Sequence, residues 1–105
     1  MNVVERQLKA YNEKDINRFI DCYSDDIVIY EFPDKVRFAS KTIMRKHYQK
    51  LFDTYPDMNA EIVKRIEQGF FVIDHEKITG RSEDPLFATA IYEVQQDIIV
   101  KVWFL

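Results

Sequence analysis

Tyr11–Pro33 reads YNEKDINRFIDCYSDDIVIYEFP, and within these residues the apolar spacing changes from a helical to an extended period. Ile16, Phe19, Ile20 and Tyr23 recur at helical spacing, so they predict a short helix carried through Tyr23. The run IVIYEF, Ile27 to Phe32, is β-branched and aromatic. Asp25-Asp26 and Pro33-Asp34 bound it, which is the signature of a strand. Upstream, Val4, Leu8 and Tyr11 form the stripe of an earlier helix, with Asn2 and Glu5 spaced as a capping box and Asn12 to Asp15 as the joint. Downstream, Val36 to Ala39 is a short partner strand. Ser40 then caps a third helix through Met44, Tyr48, Leu51, Phe52 and Tyr55, and Pro56 disfavours helix at Tyr55.

The second half changes character. Asn59 to Glu67, Phe70 to Thr79, Phe87 to Val94 and Ile98 to Phe104 are β-favouring runs joined by short connections. Helices followed by a meander of strands predict an α+β domain, one curved antiparallel sheet wrapped around three N-terminal helices. With 105 residues the chain is one domain, residues 1–105. Phe70 to Ile73, and Ile98, Ile99, Val100, Val102, Trp103 and Phe104, are apolar on both strand faces, and three helices cover only one face. A second copy packed on the other, as a symmetric homodimer, is the simplest expectation.

Composition narrows the function classes. Hydrophobic residues make up 47% and charged residues 31%, with 8 Phe, 6 Tyr and 1 Trp, a balance that fits an ordered domain and not a disordered tail. Two glycines argue against a phosphate-cradling loop, and a net charge of -3 gives no global attraction for nucleic acid or anionic membrane. Lys35, Arg37, Lys41, Arg45, Lys46 and Lys50 form a basic stretch, read as a solvated face because no recognition motif accompanies it. No run approaches the roughly 20 apolar residues of a membrane helix. The N-terminal residues lack a secretory pattern and Cys22 has no second cysteine to pair with, so a cytoplasmic location is expected. His47 and His75 lack metal-ligand spacing, and neither a metal nor another cofactor is expected.

The order helix, helix, strand ending in proline, helix, four strands, with YNEKDINRFIDCYSDDIVIYEFP followed by SKTIMRKHYQKLF, resembles the nuclear transport factor 2-like superfamily. That group includes ketosteroid isomerases and SnoaL-like polyketide cyclases. The resemblance implies a cone-shaped, cystatin-like domain enclosing a mostly apolar cavity, commonly dimeric, with activities that vary between members. It does not carry ketosteroid isomerase chemistry. The acid those enzymes place directly before the proline is Phe32 here, with Glu31 one residue earlier; their helix tyrosine falls near Gln7, and their late-strand acid near Tyr92.

Candidate chemistry centres on IDHEK. Strand alternation puts Asp74 and Glu76 on one face, about 6–7 Å apart, and His75 on the other. In an apolar pocket, desolvation and mutual repulsion would raise one carboxyl pKa and make a general acid or base. The plainer arrangement leaves them solvated or paired with Lys77, Lys64 or Arg65, since charged residues are rarely buried alone. Asp74 and Glu76 are the candidate catalytic carboxylates, with Tyr92 as hydrogen-bond partner. Tyr30, Phe32, Tyr48, Phe52 and Trp103 are the candidate ligand-pocket residues, though core packing explains such aromatics equally well. Two functions follow: a pocket protein for a small apolar or aromatic molecule, with isomerase-, cyclase- or dehydratase-like proton transfer, or a non-catalytic dimeric interaction module.

Overall fold

The computed structural model describes all 105 residues. α1 (Val3–Glu13) opens on a complete capping box, in which the Glu5 N–H donates to Asn2 Oδ1 at 2.9 Å and the Asn2 N–H donates to the Glu5 carboxylate at 3.3 Å. It ends at Lys14, a left-handed residue at φ 59. Asn12 ties this end to the sheet: its amide donates to the Ala60 carbonyl at 2.9 Å and accepts from the Ala60 N–H at 2.8 Å. α2 (Ile16–Asp21) follows, capped by Asp15. Next come β1 (Tyr23–Glu31) and β2 (Lys35–Phe38), then α3 (Lys41–Thr54), whose cap Ser40 accepts from the Ile43 N–H. β3 (Asn59–Gln68), β4 (Phe71–Thr79), β5 (Leu86–Gln95) and β6 (Ile98–Phe104) complete one six-stranded sheet in the order β2-β1-β6-β5-β4-β3.

Two details differ from the sequence expectation. Tyr23 belongs to β1 and not to α2, because the Ile99 N–H donates to the Cys22 carbonyl at 2.9 Å and starts pairing there. The register is irregular between Tyr23 and Val28, so the exposed Asp25-Asp26 pair lies in a bulge within the strand instead of ahead of it. Second, β1 runs parallel to β6, while the other four pairings are antiparallel.

Residue parity assigns the two faces of the sheet. On β4, Val72, Asp74, Glu76 and Ile78 are buried on the concave side, while Phe71 and His75 on the convex side are exposed. Ladder register carries this to Ala88, Ala90 and Tyr92 on β5, Val102 and Phe104 on β6, and Ile27, Ile29 and Glu31 on β1. The core lies between this concave side and the helices, with Val3, Val4, Phe19, Met44 and Met58 packed against Ile27, Ile29, Ile99 and Val102. No helix is long and apolar enough to cross a membrane.

Candidate functional site

Beside the middle and second half of α3, at His47, Tyr48 and Leu51, the core does not close. A cavity of about 550 Å³ remains between the concave sheet and the helices. Tyr11 of α1, Phe19 of α2 and Tyr48 and Leu51 of α3 wall it on one side, and Glu76, Tyr92 and Phe104 on the other. Ala88 and Ala90 keep the intervening concave surface of β5 free of bulk, which leaves room for the Tyr92 ring to reach toward Glu76.

A hydrogen-bonded chain of four buried side chains crosses this region. Tyr23 donates its hydroxyl to Gln7 Oε1 at 3.0 Å, Gln7 donates Nε2–H to the Tyr92 hydroxyl at 3.2 Å, and Tyr92 donates to Glu76 Oε1 at 3.3 Å. Each member donates a hydrogen bond to the next, so the chain of donors ends on the carboxyl. Glu76 Oε2 takes no hydrogen bond from the protein, and neither does the Tyr48 hydroxyl. Both belong to residues that line the cavity.

Burial pushes the Glu76 carboxyl up to about 7, and the negative charge of Asp74 adds to it; the Tyr92 hydrogen bond and Arg65 act the other way. Glu76 therefore exchanges a proton near neutral pH. Burial likewise drives Tyr92 and Tyr23 well above the ordinary tyrosine value and Tyr48 up to about 12, so all three keep their protons as donors.

The residues singled out from sequence separate in space. Glu76, Tyr92 and Tyr48 meet at the cavity. Asp74 does not line it. Its side chain is 0% exposed and locked in a two-pronged ion pair, Arg65 Nε to Oδ1 at 2.6 Å and Nη2 to Oδ2 at 2.8 Å. Asp74 is thus a neighbour that acts on Glu76 through its field. Four aromatic residues are not wall residues either. Phe52 sits in the core, its ring 5.4 Å from Tyr11 and 5.7 Å from Phe19. Tyr30 and Trp103 stack on each other at 5.7 Å on the convex face, because their parity is opposite to that of Glu31 and Val102. Phe32 lies past the end of β1 and is 55% exposed.

Sequence reasoning placed Tyr23 at a helix end as a core edge, met Gln7 only as the position of the family's helix tyrosine, and gave Arg37 and Arg81 no part in the site. A signal for Gln7 existed: it falls at i+4 between Val3 and Ala10 on the buried stripe of α1, a polar residue where an apolar one packs. Arg37 of β2, His47 of α3, Arg81 of the loop after β4 and Glu31 line the cavity's charged part. Nothing in their local sequence joins them.

Comparison with known proteins agrees with this architecture. The SnoaL-like domain family matches residues 4–102. An uncharacterised cystatin-fold protein from Novosphingobium aromaticivorans superposes with a TM-score of 0.87 at 23% identity, covering 98% of this chain and 94% of that one. A protein from Sinorhizobium meliloti, provisionally assigned as a polyketide cyclase, gives 0.83 at 14% identity over 98% and 93% of the two chains. A nuclear transport factor 2-like protein of unknown function from Cytophaga hutchinsonii gives 0.80 at 14% identity, over 98% and 85%. No curated protein matches the chain in sequence. These identities speak for a shared fold alone, while the family match spans nearly the whole chain: the protein belongs to the SnoaL-like domain family.

Proposed function

We propose that the cone cavity binds a small apolar or aromatic molecule and that Glu76 transfers a proton to or from it, in isomerase-, cyclase- or dehydratase-like chemistry. One observation carries this reading: a buried carboxyl facing a largely aromatic cavity, with one oxygen fixed by Tyr92 and the other without a protein partner. A proton affinity near neutrality suits such a group to acid–base work. In this reading the hydroxyl of Tyr48, a lining residue, hydrogen-bonds an oxygen of the ligand. The test is deuterium incorporation from D2O into 2-tetralone, a bicyclic ketone with acidic C–H bonds, followed by NMR. Acceleration by the protein and its loss in Glu76→Gln are expected. Equal exchange by the two proteins would remove Glu76 from the reaction.

The convex face supports a homodimer as the working form. Tyr30, Ile73, Ile91 and Trp103 form its apolar centre, with Val36, Ile66 and Phe71 about half exposed around them. Both charge signs flank this patch, as in the facing pair Glu93 and Lys101, and such a mixture is complementary to itself. A purely structural, non-catalytic dimer module would use the same face and leave Glu76 idle. The tetralone experiment separates the two.

A further inference from the structure

Two guanidinium groups, remote from each other in sequence, belong to the cavity lining. Arg37 already has a partner: it bonds Glu31 at 3.2 Å and its guanidinium lies 5.4 Å from the Phe104 ring centre. Arg81 is different. It makes no ion pair, although Glu83 and Asp84 follow it closely in the chain. Its guanidinium lies 5.8 Å from the ring centre of Tyr55, which leaves its hydrogen-bond donors free.

The backbone places this side chain. Gly80 adopts φ +78, and a Cβ there would stand 2.3 Å from the Asp57 carbonyl oxygen, so the loop is pressed against the turn that follows α3. Arg81 is the next residue and is set beside Tyr55 by that contact. Arg81 is exposed, but it also belongs to the cavity lining and sits over Tyr55, which places it at the cavity's rim. An arginine without a counter-ion, seated on an aromatic ring at the edge of an aromatic-walled cavity, has the donor geometry for a planar oxyanion.

The inner lining is the wrong place for a ligand's negative charge. Glu76 is there, and two carboxylates brought together in a desolvated site repel. At the charged part of the lining the balance is opposite. Arg37 there is neutralised by its ion pair with Glu31 while Arg81 has no such partner, so this side keeps one uncompensated positive charge; burial, with Arg37 and Arg81 adding to it, also pushes His47 toward its neutral form. The two sides fix a direction for an amphipathic guest: charge toward the guanidinium groups, neutral reacting part toward Glu76.

We infer that the cavity takes an aromatic or apolar carboxylic acid in its ionised form, held by its carboxylate on Arg81 with Arg37 assisting, its ring system lying between Tyr48, Leu51 and Phe104. The inference rests on the cavity being a binding site, as proposed above, and adds the chemical class of the ligand.

Isothermal titration with 2-naphthoate and with its uncharged analogue 2-naphthamide tests it, on the unaltered protein and on Arg81→Met. The naphthoate is expected to bind roughly tenfold more tightly than the amide, a preference typical of a charge-assisted bidentate contact. Arg81→Met should remove that preference, weakening naphthoate binding by about tenfold more than naphthamide binding. Equal affinities on the unaltered protein, or a preference that survives in Arg81→Met, would overturn the carboxylate assignment while the cavity reading stands. Failure of both probes to bind would overturn the cavity reading and the assignment with it.

Discussion

The Tyr92 hydroxyl lies 3.3 Å from Glu76 Oε1 and donates to it, on the concave face of two adjacent strands. This bond favours the ionised carboxyl, yet burial and Asp74 outweigh it and raise Glu76 from 4.5 to about 7. The unfolded chain therefore releases this proton at a lower pH than the folded one does. Below about 4.5 both states hold it and the group is neutral in the balance. Between about 4.5 and 7 the folded state binds more protons than the unfolded, so stability falls as pH rises and levels off above about 7. A shift of this size is worth about 3 kcal/mol. Glu76→Gln keeps an acceptor for Tyr92 and removes the ionisation. It is expected to unfold at higher urea than the parent at pH 8 and at a similar concentration at pH 4.

Tyr92→Phe isolates the hydrogen bond. It takes away the one neighbour in the chain that stabilises the ionised Glu76 by direct donation, and it leaves the Gln7 amide without its acceptor. The midpoint of the pH–rate profile for tetralone exchange should move upward from about 7. Folding stability should drop by about 1–3 kcal/mol for the orphaned amide. An unchanged midpoint would show that Tyr92 has no hold on the Glu76 proton.

The pairing of Arg65 with Asp74 is structural, and its removal has a predictable sign. Asp74 is fully buried and the Arg65 side chain is 21% exposed, so the carboxylate depends on this one partner. Arg65→Met is expected to cost about 3–5 kcal/mol, because it strands a buried negative charge. Adding Asp74→Asn to it should recover part of the loss. If the double variant is no more stable than Arg65→Met in urea titrations, the stranded charge is not the cause.

The sequence reading succeeded where a local pattern determines the outcome. Asn2 with Glu5, Ser40 before α3 and the runs that became β3 to β6 each carry their own boundary signals, and the structure ends those elements within a residue or two of them. The site was less legible. Tyr30 and Trp103 are apolar residues in strands that are apolar on both faces, so alternation could not say which face looks inward; that depends on a register set by neighbours. Asp74 and Glu76 share a face as expected, but their division into an ion-paired group and a cavity group depends on where Arg65 lands, nine residues away along a hairpin. Arg37 and Arg81 meet at the cavity through tertiary packing, and no spacing in the chain encodes that.

The same parity that removes Tyr30 and Trp103 from the cavity gives them a different role to test. Trp103 stacks on Tyr30 at 5.7 Å and lies 6.4 Å from Phe71, so its indole is at the centre of the convex apolar patch. Directly opposite it in the ladder is Ile91, whose own neighbour across β4 is Ile73. A lysine at position 91 would place an ammonium among these side chains. In a monomer that charge meets water and costs little; in a dimer closed over this face it is desolvated without a partner. Sedimentation velocity is therefore expected to show two chains per particle for the parent and one for Ile91→Lys, with circular dichroism unchanged. Naphthamide binding should be retained in the variant, because the cavity lies on the opposite face of the sheet. A parent protein that sediments as a monomer would overturn the homodimer, and an Ile91→Lys variant that remains dimeric would move the interface away from this face.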